Sequence, residues 1–350
     1  MNPEQLHQDV KDYYSQEVQQ TSDLKFSACV CSSTKSPKHK EILSRISPIV
    51  IEKYYGCGTP IPEALEGATV LDLGCGTGRD VFVTAALAGK TGHVIGVDMT
   101  PEQLEVANGA LEYHYGQFPE SAKIEFKQGF IEDLQSIGVP DSSVDVVISN
   151  CVVNLSSNKL KVFQEIYRVL KEGGEVHISD IFSSKPLNEE ACKNKMLVGE
   201  CIGNVLDLTE FVDVMKKSGF DQIYPVEIRV IDVKHELIDP YTAFYSITFR
   251  AFKVSKNENT FENDVAKYVG GIDEYENAFK FDVMHEFRKN QSTPISTNVL
   301  EILQKSRFNK FFSFEKDENA SYNQKEEFLD VLNEYLLNQA TNCCCCNCNN

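Results

Sequence analysis

The segment Leu71-Asp-Leu-Gly-Cys-Gly-Thr-Gly78 constrains the fold more than any other stretch of this chain. It joins an apolar run over 68–73 to an amphipathic stretch over 79–88, so it reads as a tight turn from a buried strand into a helix. Glycines there let the backbone take positive φ and approach a ligand closely. The alternation continues downstream. Residues 93–98, 123–128, 144–149 and 175–180 predict four further strands. Thr100 is placed to cap a helix that Pro101 begins, and a helix over 159–171 is predicted to stop at Gly173-Gly174. Strands separated by helices predict a parallel sheet covered on both faces. Two β-rich runs, 222–233 and 243–253, predict an antiparallel edge after a helix over 209–218. The expected class is therefore α/β and Rossmann-like. An insertion over 182–207 covers the site end of the sheet, and a small C-terminal domain follows.

Composition narrows the partners. The formal net charge of -18 repels phosphate backbones and anionic lipid surfaces, so neither nucleic acid nor membrane is expected as a partner. Residues 1–11 lack a basic start followed by an apolar core, and apolar runs such as 144–153 are too short to span a bilayer. A cytoplasmic monomer is the expectation. In that compartment the twelve cysteines stay reduced and serve ligand binding or catalysis better than structural disulfides. No CxxC pair occurs between Cys29 and Cys201, which argues against a structural zinc site. The boundaries expected are 1–181, 182–254 completing the sheet, an Asn/Glu/Lys-rich accessory domain over 255–341, and a Cys-rich disordered tail over 342–350.

The glycine turn carries a ligand reading. Asp98, at the tip of the second strand, can accept hydrogen bonds from both hydroxyls of a ribose. Dinucleotide folds use G-x-G-x-x-G, whereas Gly74, Gly76 and Gly78 alternate, with Asp72 two residues before the first. This spacing resembles the first motif of class I S-adenosylmethionine methyltransferases. That resemblance implies that Asp72 faces the cofactor's amino group. It also implies that the Gly129-Phe-Ile-Glu-Asp-Leu134 segment reads the adenine through the Ile131 backbone and the Glu132 side chain, with Met99 and Asn150 as further cofactor contacts.

The tip of the fourth strand, in this fold, faces the methyl group. It reads Ser149-Asn-Cys-Val-Val-Asn154 and lacks the proline pair of many amino-nitrogen methyltransferases. Cys151 there is either a thiol that holds a substrate or a small buried hydrophobe. Tyr54-Tyr-Gly-Cys-Gly58, Gly199-Glu-Cys-Ile-Gly203 and Ala28-Cys-Val-Cys31 set further cysteines beside glycine or another thiol.

Together with Gly96-Val-Asp-Met-Thr100, these motifs resemble the arsenite methyltransferase family from about Tyr13 to Phe314. The resemblance implies methyl transfer from S-adenosylmethionine to trivalent arsenic. Arsenite or its glutathione conjugate would be the substrate, and thioredoxin or glutathione the reductant. Cys57, Cys151 and Cys201 would bind arsenic, a soft element that prefers thiolates. Cys29 would be a fourth working thiol, pairing with Cys57 in a disulfide during turnover, with Cys31 an extra neighbour. Tyr55 either borders the methyl path or packs. Cys75, Cys192, His39 and His177 read as structural. The Cys343–Cys348 cluster is either a dispensable tail or a chelating one. Two rival functions share these features: C- or O-methylation of a small metabolite, and thiol-based sequestration of arsenic or metal.

Overall fold

The computed structural model describes Leu6, Gln8, Val10, Tyr13 and residues 36–255, 264–322 and 324–346, with side chains as far as 339. Strand β1 (Thr69–Leu73) lies at the centre of an eight-stranded sheet because it has no polar face: Val70 packs into one apolar layer, while Leu71 and Leu73 pack into the other. It is flanked by β2 (His93–Asp98) and β4 (Val144–Asn150), with β3 (Lys123–Gln128) beyond β2 and β5 (Leu170–Ser183) beyond β4, all parallel. A two-residue strand β6 (Leu206–Asp207) pairs with the end of β5. Strands β7 (Tyr224–Ile231) and β8 (Phe244–Phe252) close the edge antiparallel, giving the order β3-β2-β1-β4-β5-β8-β7. Strand order reverses between β1 and β4. A ligand crevice is expected beyond their carboxyl ends.

Helices α1 (Pro37–Ser44), α2 (Pro48–Glu52), α3 (Arg79–Ala88), α4 (Pro101–Gly109) and α5 (Leu111–Gln117) precede β3. Helix α6 (Lys159–Val169) and helix α9 (Leu208–Ser218) cover the other face, after the short α7 (Glu189–Lys193) and α8 (Lys195–Gly199) of the insertion. The boundary expected at 181 falls inside β5, and the region after it shares the main sheet.

Three local expectations differ from the structure. The helix predicted to reach 171 ends at Val169, and Gly173-Gly174 lie inside β5 rather than stopping a helix. The reason is contact: a Cβ on Gly173 would collide with the Lys305 carbonyl at the end of α10 (Thr297–Lys305). Thr100 heads α4 without a side-chain cap; its backbone N–H donates to Asp98 Oδ1 at 2.8 Å instead. The tail expected to be disordered from 342 is helical as far as Cys346, because α11 (Phe328–Cys346) contains neither glycine nor proline to end it. Cys348 lies outside the described residues.

The C-terminal segment adds a three-stranded sheet of β12 (Ser292–Pro294), β9 (Asp264–Tyr268) and β13 (Phe312–Lys316), and a hairpin of β10 (Ala278–Lys280) and β11 (Glu286–Arg288). Its aromatic core, including Tyr268, Phe279, Phe281 and Phe308, is continuous with Tyr224 and Phe252 of the main sheet. A buried ion network crosses the same seam. Arg250 pairs with Glu175 at 2.7 Å and with Glu63 at 2.9 Å, and Arg307 pairs with Glu175 at 2.5 Å. No helix among the described residues is long and apolar enough to cross a membrane.

Candidate active site

The carboxyl ends of β1, β2 and β4 open into a cleft of about 1030 Å³, mouth included. The glycine turn forms its floor. Gly76, at φ 53°, has nothing within 4 Å of where a side chain would start, so its backbone faces open space. Gly74, at φ 70°, is pressed against Val152 and also lines the cleft. Gly78 heads α3 at φ 87° but packs against Phe126, so it shapes the turn without lining the cleft.

Acids dominate the polar lining. Asp98 is held in place by the Gly76 N–H at 2.9 Å, and burial raises its pKa above the ordinary value. Asp72 is 3% exposed; burial, then the nearby Asp80 and Asp98, push its carboxyl well above the usual range. Asp72, Asp80, Asp98 and Glu132 on one cleft favour a ligand that brings positive charge. Met99, Phe130, Ile131 and Leu155 add apolar lining suited to a flat ring, and Glu132, also in the lining, accepts from Ser156 Oγ. Sulfonium, ammonium, ribose and adenine each meet suitable chemistry here, so S-adenosylmethionine fits. An Asp98→Ala variant is expected to bind S-adenosylhomocysteine about 10- to 100-fold more weakly, the cost of losing hydrogen bonds to a charged acceptor. Isothermal titration calorimetry checks this, and unchanged affinity would remove Asp98 from the ribose site.

Asn150, expected at the cofactor, does line the cleft, yet its amide is committed to the protein. Oδ1 accepts from the backbone N–H groups of Cys57 at 3.0 Å and Gly58 at 3.2 Å, while Nδ2 donates to the Gly58 carbonyl at 2.9 Å and to Asp80 at 3.2 Å. These bonds staple the loop before β1 to the tip of β4. Gly58 is glycine because a side chain there would strike Ser179 of β5.

The staple brings two of the thiols together. Cys57 and Cys151, far apart in sequence, stand with Cα atoms 5.9 Å apart and are joined as a disulfide. Cys201 arrives from the turn after α8, and its Sγ donates to the Cys151 carbonyl at 2.9 Å. Cys151 and Cys201 hold φ of 56° and 60°, left-handed conformations uncommon for residues with a side chain and frequent at functional sites. Cys57 and Cys201 are fully buried, and of the three only Cys151 lines the cleft. Here the Asn150 bonds set Cys57 against Cys151, and the pairing of Cys57 with Cys29 that the resemblance implies during turnover involves a residue outside the described ones. Cys29 and Cys31 lie outside the described residues.

Asp180 was not anticipated. One of its oxygens and the sulfurs of Cys57 and Cys151 lie within 4.8 Å of one another. It accepts from Asn154 Nδ2 and from the Ile181 N–H, each at 2.8 Å, and burial pushes its pKa up to about 7. Its place at the carboxyl end of the fifth predicted strand was the available signal. Tyr55 lines the cleft. Cys75 is buried in the turn, Cys192 is exposed, and His177 lies buried in β5 with its pKa lowered to about 4 by loss of water.

An open, mostly parallel sheet with a glycine turn and a ribose acid at its switch point defines a class I methyltransferase, and residues 64–224 match the family described as a methyltransferase domain. Residues 262–347 match a second family, the arsenite methyltransferase C-terminal domain. The chain is 38% identical to an arsenite methyltransferase of Aquipseudomonas alcaligenes, over 97% of this chain and 100% of that protein. It is 39% identical to the human arsenite methyltransferase, over 87% of this chain and 82% of the relative. An arsenic(III) S-adenosylmethionine methyltransferase structure from Chlamydomonas reinhardtii superposes with a TM-score of 0.78 at 36% identity, covering 84% of this chain and 100% of that one. The chain belongs to the arsenite methyltransferase family.

Proposed function

We propose that this protein methylates trivalent arsenic held by Cys57, Cys151 and Cys201. What supports the reading is that Cys57 and Cys151 are joined at the edge of an acid-lined cofactor cleft while Cys201, from a third distant segment, bonds the Cys151 carbonyl. Soft thiolates suit arsenic(III) better than oxygen ligands do. Bound S-adenosylmethionine supplies an electrophilic methyl group. The chain's part is to bind, align and dry.

The Cys57–Cys151 disulfide has to be opened before arsenic binds. A thiol reductant, glutathione or thioredoxin on this reading, gives two electrons and two protons and leaves two thiols. Arsenite then exchanges its three hydroxyls for three thiols, and the thiol protons leave with the hydroxyls as three waters. Three sulfurs leave arsenic one lone pair, which is the nucleophile. Burial of Cys57 and Cys201 keeps water from the opposite side, and Cys151 connects the sulfurs to the cleft, so alignment does most of the work. The chain divides functionally, on this reading, into a cofactor part over 1–181, an arsenic-binding part over 182–254 and an accessory part over 255–341.

The test is purified protein with arsenite, glutathione and S-adenosylmethionine, followed by arsenic speciation. Methylated arsenic is the expected product. Its absence, with the protein folded and reduced, would overturn the proposal, and arsenic binding without methyl transfer would favour sequestration.

A further inference from the structure

We infer that Arg229 is a positioning residue for arsenic binding: it holds the backbone of Cys57 so that the Cys57 thiol stays beside Cys151 once their disulfide is open. The inference rests on the three-sulfur reading above and adds a residue from the edge of the sheet that no cysteine motif implies. Arg229 lies on β7, where it stands opposite Ser246 of β8. Its Nη2 donates to the Cys57 carbonyl and to Ser246 Oγ, the latter at 3.0 Å. Ser246 Oγ in turn donates to the same Cys57 carbonyl at 2.9 Å. The Cys57 N–H is already taken by Asn150 Oδ1 at 3.0 Å. Both backbone polar groups of this cysteine are therefore held by side chains, one from the tip of β4 and the other from the β7–β8 edge.

That grip matters because the loop has no regular structure to fix Cys57. Residues 53–68 form neither helix nor strand, and Cys57 stands between Gly56 and Gly58, residues with the widest backbone freedom. While the disulfide is closed, a covalent bond holds the thiol. Arsenic binding requires that bond to be reduced, and only non-covalent contacts then keep the loop in place. Arg229 is half-buried, and among the described residues its guanidinium pairs with no carboxylate, in a chain with 52 acidic side chains against 34 basic ones. Carboxylates are the usual partners of a guanidinium. Here Nη2 is committed instead to the carbonyl of a working cysteine. A charged donor makes a stronger hydrogen bond than a neutral one, so Arg229 contributes more to the grip than Ser246 does. The bond and the disulfide require the same loop position, so each stabilises the other. Arsenic needs the same two sulfurs together and gains from the same bond.

The readout is the effective concentration of Cys57 and Cys151 toward each other. The full chain is equilibrated in glutathione and glutathione disulfide at fixed ratios and quenched, and the Cys57–Cys151 disulfide is quantified by peptide mapping. Arg229→Met keeps much of the side-chain length without its donors. It is expected to lower the effective concentration by about 10- to 100-fold, the range for a hydrogen bond from a charged donor. Arg229→Lys, which returns a charged donor, restores part of the loss. S-adenosylhomocysteine affinity, read by isothermal titration calorimetry, is expected to stay unchanged in both variants, which shows that they are folded. In methylation assays Arg229→Met is expected to raise KM for arsenite and leave KM for S-adenosylmethionine where it was. An unchanged effective concentration would overturn the inference. So would a parallel loss of S-adenosylhomocysteine binding, which would make Arg229 a support of the fold as a whole. Absence of arsenite methylation by the unsubstituted protein would instead overturn the three-sulfur reading, and the disulfide measurement reads Arg229 independently of it.

Discussion

A Cys151→Ser variant is expected to lose arsenite methylation by about 100-fold or more while keeping its affinity for S-adenosylhomocysteine. The magnitude follows from alignment, since displacing a reacting atom by about 1 Å can cost about 100-fold. Serine is nearly the same size, so the tip of β4 keeps its shape. The Cys151 N–H bond to the Ser179 carbonyl at 2.9 Å survives, and so does the carbonyl that accepts from Cys201 Sγ. What changes is the donor: a hard hydroxyl replaces a soft thiolate, and arsenic is left with two sulfurs. Cys57 also loses its disulfide partner. Arsenic speciation after turnover, paired with calorimetric titration of S-adenosylhomocysteine, reads both halves. Methylation at the unsubstituted rate would sink the three-sulfur site. It would return Cys151 to the status of a small buried hydrophobe.

The second large effect lies away from the cleft. Arg250→Met is expected to destabilise the fold by about 3–5 kcal/mol at pH 7, the cost of leaving a buried carboxylate without its main partner. Arg250 is fully buried between Glu175, Glu63 and the Phe281 carbonyl, which accepts at 2.8 Å. It therefore joins three parts: the loop that carries Cys57, the main sheet and the C-terminal segment. Burial would raise the pKa of Glu175, but the Arg250 and Arg307 guanidinium groups outweigh burial and hold it at about 2. A depressed carboxylate pKa gives stability that is present above the ordinary value of 4.5 and lost as pH falls toward 2. The gap between the two proteins in urea denaturation should accordingly be full at pH 7 and shrink as pH drops below about 4.5. A gap that stays constant through that window would mean that Arg250 acts by packing against its aromatic neighbours instead.

Much of this was legible from residues alone. Strands 93–98 and 123–128 and the helix over 79–88 stand where apolar periodicity put them, because each buries a face set by its own side chains. The glycine turn and Asp98 were equally readable, since positive φ and a strand-end acid are local requirements. Gly173-Gly174 misled for an instructive reason. Two glycines after a helix read as a stop, but their cause is the Lys305 carbonyl, brought against them from more than a hundred residues away.

The cysteines divide along the same line. That several thiols serve a soft ligand follows from their residue types, their glycine neighbours and a family resemblance. Which sulfurs meet depends on Asn150, whose side chain bonds the Cys57 loop to the β4 tip, and on the left-handed turns at Cys151 and Cys201. Asp180 beside the sulfurs, the Arg229 bond to the Cys57 carbonyl and the Arg250 network are invisible to any window of sequence. Periodicity and turn chemistry act over a few residues and so show in the order of amino acids. Distances between side chains, and whether a buried charge finds a partner, exist only once distant segments have packed.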